Sequence, residues 1–179
     1  AHLNSTTSVF DTEIYIPNLS NEKINIDSIS LKINNNTNKE INVALLAATD
    51  LKHSHLNASL NLEAFNDQIT TIISWDNNNT QKTFSGEFAS QTSLSTLNSQ
   101  FSTNTTILPT ELILQNKSWF IDESTIWSDL NKIIIKNFKI HSNDDQLIAI
   151  NGIASKSENE FIDIQLKDSV NGYYISNNS

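Results

Sequence analysis

Trp119–Lys167, WFIDESTIWSDLNKIIIKNFKIHSNDDQLIAINGIASKSENEFIDIQLK, carries the clearest pattern in this chain. Apolar and polar residues alternate through it, polar turns separate the runs, and Gly152 interrupts one otherwise regular alternation. A period of two puts alternate side chains on opposite faces of a β-strand. The stretch therefore reads as three or four short strands in succession, sharing one apolar face. Ile133 and Ile135 fall on that face, followed by Phe138 and Ile140 after a slip of phase at Asn137. Ile148, Ile150, Gly152 and Ala154 come next, then Ile162, Ile164 and Leu166.

The same plan recurs upstream. Phe10–Ile16 alternates up to the break at Pro17-Asn18. The run over 24–33 changes phase at Asp27-Ser28, as one extra residue in a β-bulge would make it do. Ile41–Thr49 follows, and then Leu56, Ala58, Leu60, Leu62 and Ala64 alternate strictly with polar partners. Asn66-Asp67 turns the chain into Gln68–Trp75, and Lys82–Ala89 places Phe84, Gly86 and Phe88 on one side. Leu94, Leu97 and Phe101 lie in a Ser/Thr/Asn-rich segment whose spacing fits a short helix or two weak strands. Ser, Thr and Asn are poor helix formers, which favours strands. Ile107–Leu114, apolar around Pro109, fits a helical turn or a sheet edge.

Strand centres about ten to fourteen residues apart, joined by short polar turns, predict an all-β antiparallel meander rather than βαβ units. Roughly a dozen strands at about 4.8 Å each make a sheet about 55–60 Å wide. An apolar face of that width must curl on itself, meet a second sheet or receive an apolar ligand. No composition shift divides residues 1–179, so one domain is expected from the 20.1 kDa chain. A chain that starts at Ala1 and has no methionine is expected to be a segment of a longer protein, with any anchor or export signal outside it. No apolar run approaches the roughly 18–20 residues that span a bilayer as a helix.

The net charge of -9, with all 11 cationic residues lysine, argues against a nucleic-acid partner. The absence of cysteine removes disulfides, thiolate metal sites and thiol nucleophiles. Asparagine is over-used while Gly numbers 3 and Pro 2. AT-rich coding accounts for most of that excess, and Asn can fill left-handed turn positions otherwise given to Gly.

Candidate chemistry is sparse. His53 and His55 share a strand face, but a metal would need a third ligand, and His2 and His141 are distant in sequence. Asp144-Asp145 in SNDDQ offers too few oxygens at defined spacing for calcium. Glu158 and Glu160 beside Lys156 read as turn charges rather than a glycosidase pair, and Asp122-Glu123-Ser124 reads as a turn rather than part of a triad. Sequons at Asn4, Asn18, Asn35, Asn57, Asn78, Asn104 and Asn116 follow from composition. No enzyme, metal or cofactor is expected. Small residues at Gly152, Ala154, Ala58 and Ala64 sit where a filled core would call for bulk, so the aliphatic face suits acyl chains.

The run from Trp119 through Asn137-Phe138, the Gln146-led strand into Gly152 and Ser155, and the acidic turn leading to Leu166 resemble the translocation and assembly module TamB family, in the form found in Bacteroidetes. The resemblance covers about fifty residues; residues 1–118 agree in general character. It implies one segment of a long periplasmic protein tethered to the inner membrane elsewhere in its chain, related to AsmA-like and bridge-like lipid transfer proteins. It also implies a U-shaped, taco-like curled sheet with an aliphatic concave groove, phospholipid cargo moving between inner and outer membranes, and a BamA-like outer-membrane barrel as partner. The expected groove lining is Leu56, Leu60, Leu62, Ile133, Ile135, Phe138, Ile140, Ile148, Ile150, Gly152, Ile162, Ile164 and Leu166. A chaperone-like variant would hold unfolded strands on an open sheet edge. The rival reading is a surface or secreted adhesive β-protein that binds glycans, for which a closed core is the expectation.

Overall fold

The computed structural model is all-β and describes residues 2–4, 9–20, 25–37, 40–51, 54–77, 84–157 and 159–167. Its strands are β1 (His2–Asn4), β2 (Val9–Ile16), β3 (Leu19–Ser20), β4 (Asn25–Ile26), β5 (Ser28–Thr37), β6 (Glu40–Leu51), β7 (Ser54–Phe65) and β8 (Gln68–Asp76). They continue as β9 (Phe84–Leu97), β10 (Gln100–Ile107), β11 (Thr110–Leu114), β12 (Lys117–Ile121), β13 (Ser124–Asp129), β14 (Lys132–Ser142), β15 (Leu147–Ser155) and β16 (Ile162–Lys167). Fourteen of them form one sheet, and β3 and β4 form a separate two-stranded ribbon.

The sheet is an antiparallel meander with two interrupted strands. β9 pairs with β10 along its second half and with β11 along its first. β10 and β11 are thus one long strand broken at Leu108-Pro109, where proline has no N–H for the ladder. Their partners β13 and β12 form a second long strand broken at Asp122-Glu123, and β14 pairs along both pieces. β1 and β2 lie at one end of the sheet and β16 at the other, and among the described residues the two ends do not pair.

Several turns use left-handed backbone at non-glycine residues. Asn66-Asp67 (φ 48° and 59°), Asn98-Ser99 (50° and 62°) and Gln115-Asn116 (53° and 63°) close two-residue hairpins. Positive φ at both central positions matches the right-handed twist of the strands, and Asn and Asp tolerate it best among residues with side chains. Asn137, at φ 59°, coincides with the register shift between Ile135 and Phe138 on β14, where the alternation slips.

Three sequence expectations are corrected, and the preference for strands at Leu94, Leu97 and Phe101 is met. The phase change at Asp27-Ser28 is the boundary between two strands rather than a bulge: β4 leaves for its ribbon with β3, and Asp27 N–H donates to Ala48 O at 2.8 Å as β5 begins. Lys82 lies outside the described residues, and the strand expected to stop at Ala89 runs unbroken to Leu97. Leu94, Leu97 and Phe101 belong to the β9–β10 hairpin rather than a helix, because pairing satisfies backbone groups that a Ser/Thr-rich helix would hold poorly. The opening stretch contributes five strands, β12 to β16, since Trp119 belongs to a strand of its own.

The sheet is a single layer. The chain exposes 12477 Å², against about 8,700 Å² for a compact monomer of 20.1 kDa. Ile107, Leu112 and Ile121 are the buried hydrophobic residues among those described, at 3 %, 6 % and 5 % exposure. Trp75, Phe88, Leu114, Trp119, Ile126, Phe138 and Ile140 pack against them from the same face. Those neighbours come from strands β8 to β14, so the sheet must curl toward its apolar face there to bring them over the buried three.

Candidate apolar surface

Cross-strand partners share a face, so the pairing register shows which side each residue occupies. One row runs Ile14, Leu31, Leu45, Leu60, Ile73 and Phe88 from β2 to β9. It resumes as Ile121, Ile140, Ile148 and Leu166 from β12 to β16. Thr110 stands between the two parts, its hydroxyl donating to Glu87 O at 2.7 Å. An apolar row therefore crosses the sheet nearly from edge to edge, a distance of about 50 Å at the usual strand spacing.

The remaining expected lining residues lie on the same face. Leu62 pairs with Val43 and Thr71, and Leu56 with Thr49, in phase with Leu60 on β7. Ile135 pairs with Gly152, and Gly152 with Ile162; Phe138 pairs with Ile150, and Ile150 with Ile164. Ile133 pairs with Ala154. The register thus gathers residues from β7 and from β14 to β16 onto one side.

The centre of this face differs from its wings. Ser90, Ile107 and Ser124 form one cross-strand row, with Ser90 and Ser124 buried. In the next rows Thr92 Oγ1 and Thr105 Oγ1 are 2.9 Å apart, and Thr103 Oγ1 and Ser128 Oγ are 2.7 Å apart. The hydroxyls of these two pairs satisfy one another across strands, which lowers the cost of placing them on an apolar face, whereas Ser124 Oγ is buried without a hydrogen-bond partner among the described residues. Their small size also suits the inside of a curl. The wings are aliphatic and open: Ile14 and Ile41 are 48 % and 45 % exposed on one, Ile133 and Ile164 44 % and 43 % on the other.

The two glycines on this face have different causes. A Cβ on Gly86 would lie 2.6 Å from Trp75 Cζ2 and 2.7 Å from Leu112 Cδ2, so Gly86 leaves room for the indole of its cross-strand partner on β8. Gly152 has φ +130°, and a Cβ there would strike the Phe161 carbonyl and lie 2.9 Å from Ile162 Cα. That carbonyl accepts from Ile153 N–H at 2.9 Å. Gly152 is therefore small because the backbone of the β16 hairpin occupies the space, which corrects its reading as a gap in a side-chain surface.

Cavities of appreciable volume lie on the opposite, polar face. The larger, about 690 Å³, spans β5 to β9 and is lined by Ser30, Asn57, Ser59, Asp76 and Glu87 among others. A second of about 330 Å³ lies over β13 and β14. The uncovered aliphatic surface is thus broad and shallow rather than a closed pocket.

The titratable candidates fall in turns or on the polar face. His53 and Glu158 lie outside the described residues; His55, on β7, pairs with Asp50 of β6. Asp144 and Asp145 form ion pairs with Lys117 (2.9 Å) and Lys167 (3.7 Å), and the Glu160 carboxylate accepts from Ser155 Oγ. Lys156 is exposed beside them.

Sequence reasoning missed the grouping of Asp122, Lys139 and His141. His141 Nε2 is 3.1 Å and Lys139 Nζ 3.4 Å from the Asp122 carboxylate, and Asp122 N–H donates to Lys139 O at 3.0 Å. Partial burial works to raise the Asp122 pKa, but the hydrogen bonds and charges of His141 and Lys139 outweigh it and hold the carboxyl below its usual range. Ser124, two residues on, faces the apolar side with Ile107 while His141 faces the polar side, so the sheet separates that hydroxyl from the imidazole. The only sequence signal for the group was the acidic break itself.

Comparison with protein-family models, curated proteins and solved structures found no match.

Proposed function

We propose that this chain is a non-enzymatic segment of a TamB-like periplasmic bridge that carries phospholipid acyl chains along its apolar face between inner and outer membranes. The tether to the inner membrane lies outside these residues, and a BamA-like outer-membrane barrel is the partner in envelope assembly. The observation that carries the reading is the apolar row from Ile14 to Leu166, lying on a face that no second layer covers among the described residues. A closed adhesive sandwich would instead bury a two-sided core, and only Ile107, Leu112 and Ile121 are buried hydrophobics among the described residues. Acyl chains gain about 0.8 kcal/mol for each methylene fully removed from water, so even partial cover along the row favours sliding over release. The row needs no ionised group and no cofactor for this.

The test is organic extraction of the purified protein followed by phospholipid analysis. Co-purified phospholipid is expected, and Ile148→Asp or Ile164→Asp should lower it severalfold because a carboxylate on the row must keep its water. Both positions are partly exposed, at 36 % and 43 %, so the variants should fold. Unchanged lipid content in a folded variant would overturn the proposal.

A further inference from the structure

Lysines on the polar face concentrate on β14. Lys132, Ile134 and Lys136 alternate on one side of that strand, Trp127 pairs with Ile134, and Asn104 pairs with Trp127. Thr125 stands opposite Lys136. These six residues line the concavity of about 330 Å³, a size within the range of small-ligand sites. Lys132 Nζ lies over the Trp127 ring, 5.5 Å from its centroid, a cation–π contact.

Among the described residues, neither ammonium at this concavity is locked in a salt bridge. Lys117, Lys139 and Lys167 each pair with an aspartate, whereas neither Lys132 nor Lys136 forms an ion pair among the described residues. Asp129, the nearest acid in sequence, uses one carboxylate oxygen to accept from the backbone N–H groups of Asn131 (2.7 Å) and Lys132 (2.8 Å). In a chain of net charge -9, two such ammonium groups around one concavity make a local site for an anion. The rest of the lining, an indole, an isoleucine, an amide and a hydroxyl, suits a ligand with one flat apolar surface and several hydroxyls. The larger cavity, with Asp76 and Glu87 in its lining, would repel that ligand.

We infer that this concavity binds an anionic saccharide, phosphorylated or uronic. On binding, the Lys132 ammonium leaves the Trp127 face to meet the acidic group together with Lys136, the sugar ring takes its place over Trp127 and Ile134, and the hydroxyls lie against Asn104 and Thr125. Lysines act as point charges rather than bidentate forks, so recognition is salt-sensitive and depends on the sugar for its geometry. The site lies on the opposite side of the sheet from the apolar row, so it is independent of the acyl-chain proposal.

The test is a titration of the whole chain at low ionic strength, following tryptophan fluorescence and amide NMR shifts. The probes are glucose 6-phosphate, a galacturonic acid oligomer, glucose, inorganic phosphate and phosphatidylglycerol vesicles. A saturable response to at least one anionic sugar is expected. It should weaken about tenfold in the Lys132→Gln, Lys136→Gln double variant and with added salt, and Trp127→Phe should remove the fluorescence component. Glucose should give no response, and inorganic phosphate a weaker one. The inference is overturned by no response to either anionic sugar, or by an unchanged affinity in the double variant. It is equally overturned if phosphate alone binds as tightly as its sugar ester, or if vesicles compete for the lysines more strongly than either sugar does.

Discussion

At Gly152 the sequence suggests a missing side chain on an apolar surface, and the backbone supplies a different reason. A φ of +130° lies where residues with a Cβ are strained, and the Phe161 carbonyl fills the space that the Cβ would need. Gly152→Ala should therefore destabilise the protein by about 1–3 kcal/mol, the usual cost of such a conformation, read as a lower midpoint in urea unfolding. An unchanged midpoint would mean that only surface shape holds glycine there. Asn66, Asn98, Asn116 and Asn137 occupy left-handed positions, so part of the asparagine content does the work of glycine in turns. That preference was readable from residue type, whereas the φ of Gly152 follows from how β16 returns alongside β15 and has no local sequence signature.

Among the elements, the breaks within the two interrupted strands matter more than the strands themselves. Pro109 marks one break visibly. The other, Asp122-Glu123, is held by groups from β14 that sequence places seventeen and nineteen positions away. The Asp122 carboxyl titrates below its ordinary 3.8 in the folded chain, so the unfolded chain binds that proton more readily. The contact thus contributes stability above the ordinary carboxylate range and loses it as pH falls through the folded value. Asp122→Asn is expected to lower the Tm at pH 6, with the gap from the parent protein closing by about pH 2. Thermal scans across that range measure it, and a gap of constant size would show that the ionised carboxylate is not the cause. Because Asp122 is 44 % exposed, the gap should be small and should shrink in high salt.

For the whole molecule, the decisive property is one sheet with one apolar face and little to cover it. The aliphatic wings should bind an environment-sensitive apolar dye in the native state, with enhanced fluorescence that falls in Ile133→Asp and Ile164→Asp. Native chain that fails to enhance the dye would mean that the wings are covered in solution. The all-β class, the antiparallel pairing of consecutive strands from β5 to β10 and from β13 to β16, and the side on which each of Leu60, Ile135, Ile150 and Ile164 falls were determined by the sequence alone, because a period of two is a local property and short turns favour pairing of neighbours. Tertiary structure decided what those residues could not encode locally: that β10 continues into β11, that Gly86 makes room for Trp75, and that the centre of the face is a hydroxyl-lined curl between open wings. Curling depends on twist and register summed over many strands, and no single strand carries that sum in its pattern.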